Sequence, residues 1–161
     1  MKKIFLILPL LLAACGDSAK IHQLQEQIDN LEVQSANSYK PGFGEFMSGI
    51  QIHHAKLWFA GKNRNWDLAR FELGEIGETV DAIQKYQKER KESESLPLLA
   101  PALDTLRTAV DRHDVNLFVK SFTALTNTCN SCHRSVKFGF NVVTIPSSPP
   151  FSNQDFSVRN N

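Results

Sequence analysis

The sequence predicts an all-α chain: an antiparallel four-helix bundle with a C-x-x-C-H group near its end, preceded by a short helical stalk. Three observations predict it. Apolar residues recur three and four apart through four segments between residues 43 and 136. The breaks between these segments carry Pro, Gly, Asn or Asp, and the connections are short. Nothing of useful length alternates with period two, residues 138–145 excepted.

The chain opens with Lys2 and Lys3, an apolar run from Ile4 to Leu12, and Ala13-Ala14-Cys15. That run is too short for a lasting membrane span, which takes about 20 residues, but it suits a secretory leader. Residues 1–14 are therefore expected to be a signal peptide. The small residues before Cys15 resemble the lipobox of bacterial lipoproteins, which implies acylation of Cys15 and anchoring to a membrane through lipid. Gly16, rather than Asp, follows that cysteine, and by the same resemblance the outer membrane is favoured over the inner one.

Residues 15–41 form the lipidated linker. Ile21, Leu24, Ile28 and Leu31 make a two-heptad apolar stripe on a polar helix, read as a stalk. The expected domain is 42–140. Its first helix places Phe43, Met47, Ile50, His54 and Leu57 or Trp58 on one face, and Gly61 is expected to end it. Asn63 or Asn65 can cap the second, with Trp66, Ala69, Leu73, Ile76, Val80 and Ile83 inward. The charged run Lys85 to Glu94 reads as a solvated end and turn. Pro97 and Pro101 flank the start of a third helix with Leu99, Leu103, Leu106 and Val110 inward. Asp114 caps a fourth, marked by Leu117 or Phe118, Phe122, Leu125, Cys129, Cys132 and Val136. Residues 141–161 read as an irregular tail.

Of the 161 residues, 42% are hydrophobic and 22% charged, an ordinary balance for one globular domain. The formal net charge is +1, and −1 without Lys2 and Lys3. No basic footprint for nucleic acid exists in such a chain.

Cys129-Asn130-Ser131-Cys132-His133 carries the chemistry. Two thiols three residues apart can each form a thioether to one vinyl group of a haem, and the adjacent histidine can supply the proximal iron ligand. One covalent haem c is the expected cofactor. A dithiol redox motif would want a thioredoxin-like α/β setting, and structural zinc would want a fourth ligand. With Cys15 taken by lipid, Cys129 and Cys132 leave no thiol over. An exported chain also fits haem c, whose attachment takes place outside the cytoplasm.

A four-helix chain with C-x-x-C-H on its last helix resembles the cytochrome c-prime class and its low-spin relatives, over about Phe43 to Val136. The resemblance rests on Cys129, Cys132, His133 and the helix pattern. It implies a monohaem protein with His133 as proximal ligand and a distal residue from the first helix. Two features depart from it: 28 residues follow His133, and the first helix carries His53-His54.

Met47, His53 and His54 compete for the sixth position. In antiparallel helices Met47 and His133 each lie ~9 Å inside their ends and His54 ~20 Å. Side chains lean toward the N-terminus of their own helix, which carries His54 back toward the iron and Met47 away. The order of preference is His54, Met47, His53. Lys56, Arg64, Arg70 and Lys137 could meet haem propionates. Phe138, Phe140, Phe151 and Phe156 suit either a cover over the haem edge or simple packing. The expected activity is single-electron transfer between redox partner proteins on the periplasmic side, by a carrier rather than an enzyme. The alternative is a five-coordinate gas-binding or sensing cytochrome, with peroxidase chemistry third.

Overall fold

The computed structural model describes residues 15–158, with side chains from residue 18 onward. The leader expected over 1–14 and the side chain of Cys15 lie outside the described residues. Among the described residues there are five α-helices, one 3-10 segment and no strand. The chain divides at Lys40 and Pro41 into two units.

The first unit is α1, Cys15–Asn37. Ile21, Leu24, Ile28 and Leu31 are all exposed along it. Local terms therefore carry the helix: straight-chain Gln and Glu lose little rotamer freedom there, and Gln25 donates to Asp29 one turn on at 2.8 Å.

The second unit holds α2 (Phe43–Lys62), α3 (Trp66–Tyr86), α4 (Ala100–Asp111) and α5 (Val115–Ser135). α2 packs on α3, α3 on α4, α4 on α5, and α5 on α2. Two connections are built alike. Arg64 and His113 take left-handed backbone, with φ of 60° and 55°. The next residue, Asn65 or Asp114, then donates its N–H to Ala60 O or Ala109 O five residues back. Each of these two residues also caps the following helix, accepting from Leu68 N at 3.2 Å and Leu117 N at 2.9 Å. One residue thus closes a helix and opens the next, which keeps these two turns short.

The core is apolar and aromatic. Phe118 and Phe122 of α5 are fully buried, with Trp58 of α2 at ring-centroid distances of 6.3 and 4.9 Å. Gly61, expected as the stop of its helix, lies within α2, which runs on to Lys62. Its lack of a side chain is a packing requirement, because a Cβ there would overlap the tip of the Phe118 ring at Cζ.

The charged run is only partly solvated. Lys91–Leu99 forms the 3-10 segment, with Pro97 inside it and Ser93, Leu96 and Leu99 buried. Ser93 Oγ donates to Gln87 O at 2.7 Å. Pro97 and Pro101 each lack an N–H, so a regular α-helix starts only at Ala100. Residues 138–158 carry no helix or strand. Phe156 nevertheless enters the core beside Phe59, with centroids 5.7 Å apart, and Ile145 packs against the core. Asn65 Nδ2 donates to Ser157 O at 3.0 Å.

Gly61→Ala should overpack the Phe118 site and destabilise the fold by about 1–3 kcal/mol. The urea midpoint measures this; an unchanged midpoint would show that α2 and α5 can separate freely at that point.

Candidate functional site

The second half of α5 continues the stripe that builds the core. Thr126, Cys129, Cys132 and Val136 follow Phe122 at helical spacing. From Cys129 onward this stripe opens on a cavity of about 310 Å³. Cys129, Cys132 and His133 line it together, and Met47, Ile50 and His54 of α2 line it as well. Leu96 and Leu99 of the 3-10 segment and Phe138, Asn141 and Val143 of the tail complete the wall.

Burial pushes the Cys129 thiol up to about 11, with the neighbouring Cys132 adding to the effect. Burial also raises Cys132, whose Sγ donates to Ser95 O at 3.4 Å. Both groups are therefore thiols near neutral pH. Dithiol redox enzymes use the opposite, a thiol whose pKa is depressed so that a thiolate attacks. Among the described residues, no group of three or more His, Cys, Asp or Glu side chains is placed to hold a metal ion.

His133 Nδ1 donates to Asn141 O at 2.6 Å. A carbonyl only accepts, so Nδ1 keeps its proton in the neutral ring and Nε2 keeps its lone pair. The Nε2 lone pair is thereby left open to a further partner.

The adjacent histidines go opposite ways. His54 is buried at 3% exposure on the cavity wall. Its Nε2 lies 2.9 Å from Thr126 Oγ1, and its ring centroid 4.4 Å from that of Phe122. The Thr126 hydroxyl donates its one proton to Phe122 O, so His54 Nε2–H donates to it in turn. Desolvation lowers the ring's pKa to about 4 and keeps it neutral. His53 points away from the cavity. Its Nδ1 lies 2.7 Å from Glu72 Oε2, and Lys56 Nζ lies 2.9 Å from Glu72 Oε1. Glu72 is fully buried and holds both nitrogen groups on the α2–α3 side.

None of the four cations picked out from the sequence lines the cavity. Lys56 serves Glu72, Arg70 pairs with Asp111 at 3.0 Å, and Arg64 and Lys137 sit at left-handed turn positions. Arg90 does line it. Its guanidinium lies over the Phe43 ring at 5.7 Å and pairs with Glu92 at 2.8 Å. That hydrogen bond raises Arg90 and lowers Glu92 from their ordinary values. Sequence reading missed Arg90 because it stands in a charged run, and missed Asn141 because its backbone carbonyl does the work. Of the four aromatic tail residues, Phe138 lines the cavity, Phe156 packs in the core, and Phe140 and Phe151 are exposed.

No family model, curated protein or solved structure matches the chain. The site's meaning therefore rests on its own chemistry: two protonated thiols and one prepared imidazole on a single mostly apolar cavity. Such a set could hold a flat, apolar cofactor by two thioethers and one axial nitrogen.

In the cofactor-free chain, His54 makes stability depend on pH. Its folded pKa of about 4 lies below its ordinary 6.5, so above pH 6.5 the ring is neutral in both states. As pH falls from 6.5 toward 4, the unfolded chain takes up a proton that the folded chain refuses. Stability then falls, by about 3 kcal/mol at most. His54→Gln should flatten that part of the curve, as read from urea midpoints across this range. Parallel curves for both proteins would rule the ring out as the cause.

Proposed function

We propose that this chain is a monohaem c-type cytochrome lipoprotein that faces the periplasm and passes single electrons between redox partner proteins. The observation that carries this reading is the opening of Cys129, Cys132 and His133 onto one cavity that Met47 and His54 of α2 also line. The donor set fits haem c: two thiols for its vinyl groups, and an imidazole whose proton is held on Nδ1. Haem, when bound, supplies a one-electron iron couple whose potential depends on its axial ligands. Cys129 and Cys132 would fix the group, His133 Nε2 would bind its metal, and Arg90 would offer a guanidinium to a propionate.

The helices are read as an antiparallel four-helix bundle of the c-prime kind. The meetings of Gly61 with Phe118 and of His54 with Thr126 support this, since they occur in opposite order along α2 and α5. The acyl anchor on Cys15, and the outer membrane as its site, rest on the leader sequence.

For the sixth position, His54 Nε2 is taken by its bond to Thr126, which leaves only the Nδ1 next to its own backbone to offer, whereas the Met47 sulfur lines the cavity without a hydrogen bond to lose. This observation moves Met47 ahead of His54. A methionine sulfur favours the ferrous state and a higher potential. The same His54–Thr126 bond also supports the second reading, a five-coordinate gas-binding cytochrome, should neither residue engage.

The test is the visible spectrum of protein from cells able to mature c-type cytochromes, oxidised and reduced, with and without carbon monoxide. Low-spin spectra unmoved by the gas are expected. Met47→Ala should turn high-spin and bind the gas, while His54→Ala should stay low-spin. A high-spin, gas-sensitive wild type would replace electron transfer with gas binding. Absence of thioether-linked haem would overturn both readings.

A further inference from the structure

The C-x-x-C-H group here does more than supply two sulfurs and a ring. Asn130, the residue after its first cysteine, pairs with the tail through both halves of its carboxamide. Nδ2 donates to Val143 O at 2.8 Å, and Oδ1 accepts from Val143 N at 2.8 Å. A backbone strand would satisfy Val143 in the same way. An apolar side chain makes neither bond, and a carboxylate accepts but does not donate.

This pairing sits beside the ligand. Asn130 and His133 are three residues apart and share a face of α5. Lys137, at φ 68°, turns the chain after the helix, with Phe138 N donating to His133 O at 2.7 Å. The tail then runs back past the motif, and Asn141 O reaches His133 Nδ1 at 2.6 Å. Asn130 thus fixes the backbone two residues from the carbonyl that orients the imidazole.

We propose that Asn130 is a positioning residue for the haem iron: it pins the tail so that the Asn141 carbonyl holds and polarises His133. This rests on the haem reading above. A carbonyl accepting from Nδ1–H makes the imidazole a stronger donor, which stabilises ferric iron and lowers the potential. A tail that served packing alone would need only Ile145 and Phe156, both against the core.

The experiment is a spectroelectrochemical titration of wild type and Asn130→Ala, with hydrogen exchange at the Val143 amide. The expected result is a higher potential in the variant, by about tenfold in the oxidised-to-reduced ratio, or about 59 mV for one electron. Exchange at Val143 should speed up in parallel. Asn130→Asp, which keeps the acceptor for Val143 N–H, should shift the potential by less and serves where Asn130→Ala does not fold. Phe156→Ala should leave the potential alone. Covalent haem with an unchanged potential and a fast-exchanging Val143 would overturn the proposal; so would a Val143 amide that stays protected without Asn130. A wild type without covalent haem is seen in the spectrum first, and defeats the cytochrome reading itself, whereas a protected Val143 reports the pinned tail with or without haem.

Discussion

The fit of Phe118 over Gly61 is the constraint from which the rest of the second unit follows. Two helices can come this close only where one of them has no side chain, so the contact admits little sliding. Once it is made, the rest of α5 is committed to a place along α2. Phe122 meets Trp58 and His54, Thr126 meets His54, and the thiols reach the cavity near Met47. A single stripe on one helix is core at its start and chemistry at its end. The change comes where α2's large aromatic residues give way to Ile50 and Met47.

Two neighbouring histidines show how sharply the fold sorts like residues. A helix turns 100° per residue, so His53 and His54 cannot share a face. One meets a buried carboxylate and Lys56; the other meets a hydroxyl and an aromatic ring. Glu72 would be costly to bury alone, and the two nitrogen groups on it are what make its position tenable. That arrangement keeps these charged and polar groups on the α2–α3 side, away from the mostly apolar cavity.

Much of this was legible in the sequence because it depends on periodicity and caps. The inward faces of α3, α4 and α5, the caps at Asn65 and Asp114, and the placing of His54 on the apolar side all follow from spacing. The motif itself needed no structure to be noticed. The 3-10 segment was not legible, because its buried Ser93 and Leu96 stand among charges and prolines that read as a turn, and Leu99 reads as the first inward residue of the next helix. Arg90 was lost with it. The tail's part was hidden for a different reason: Asn141 and Val143 act through backbone groups, which every residue has, and Asn130 occupies a motif position open to any residue. The distal side depended on a hydrogen bond to Thr126 that no spacing announces.

The tail's bonds to α5 join residues only 8 and 13 apart, so the loops they close are short and cost little entropy. Three side-chain hydrogen bonds hold that wall to α5, while Ile145 and Phe156 anchor the chain beyond it to the core. The cavity thus has a side that can be released and reformed while the four helices stay folded. A rigid, bulky guest could be admitted from that side after the helices have assembled, with the loop of residues 138–143 closing behind it.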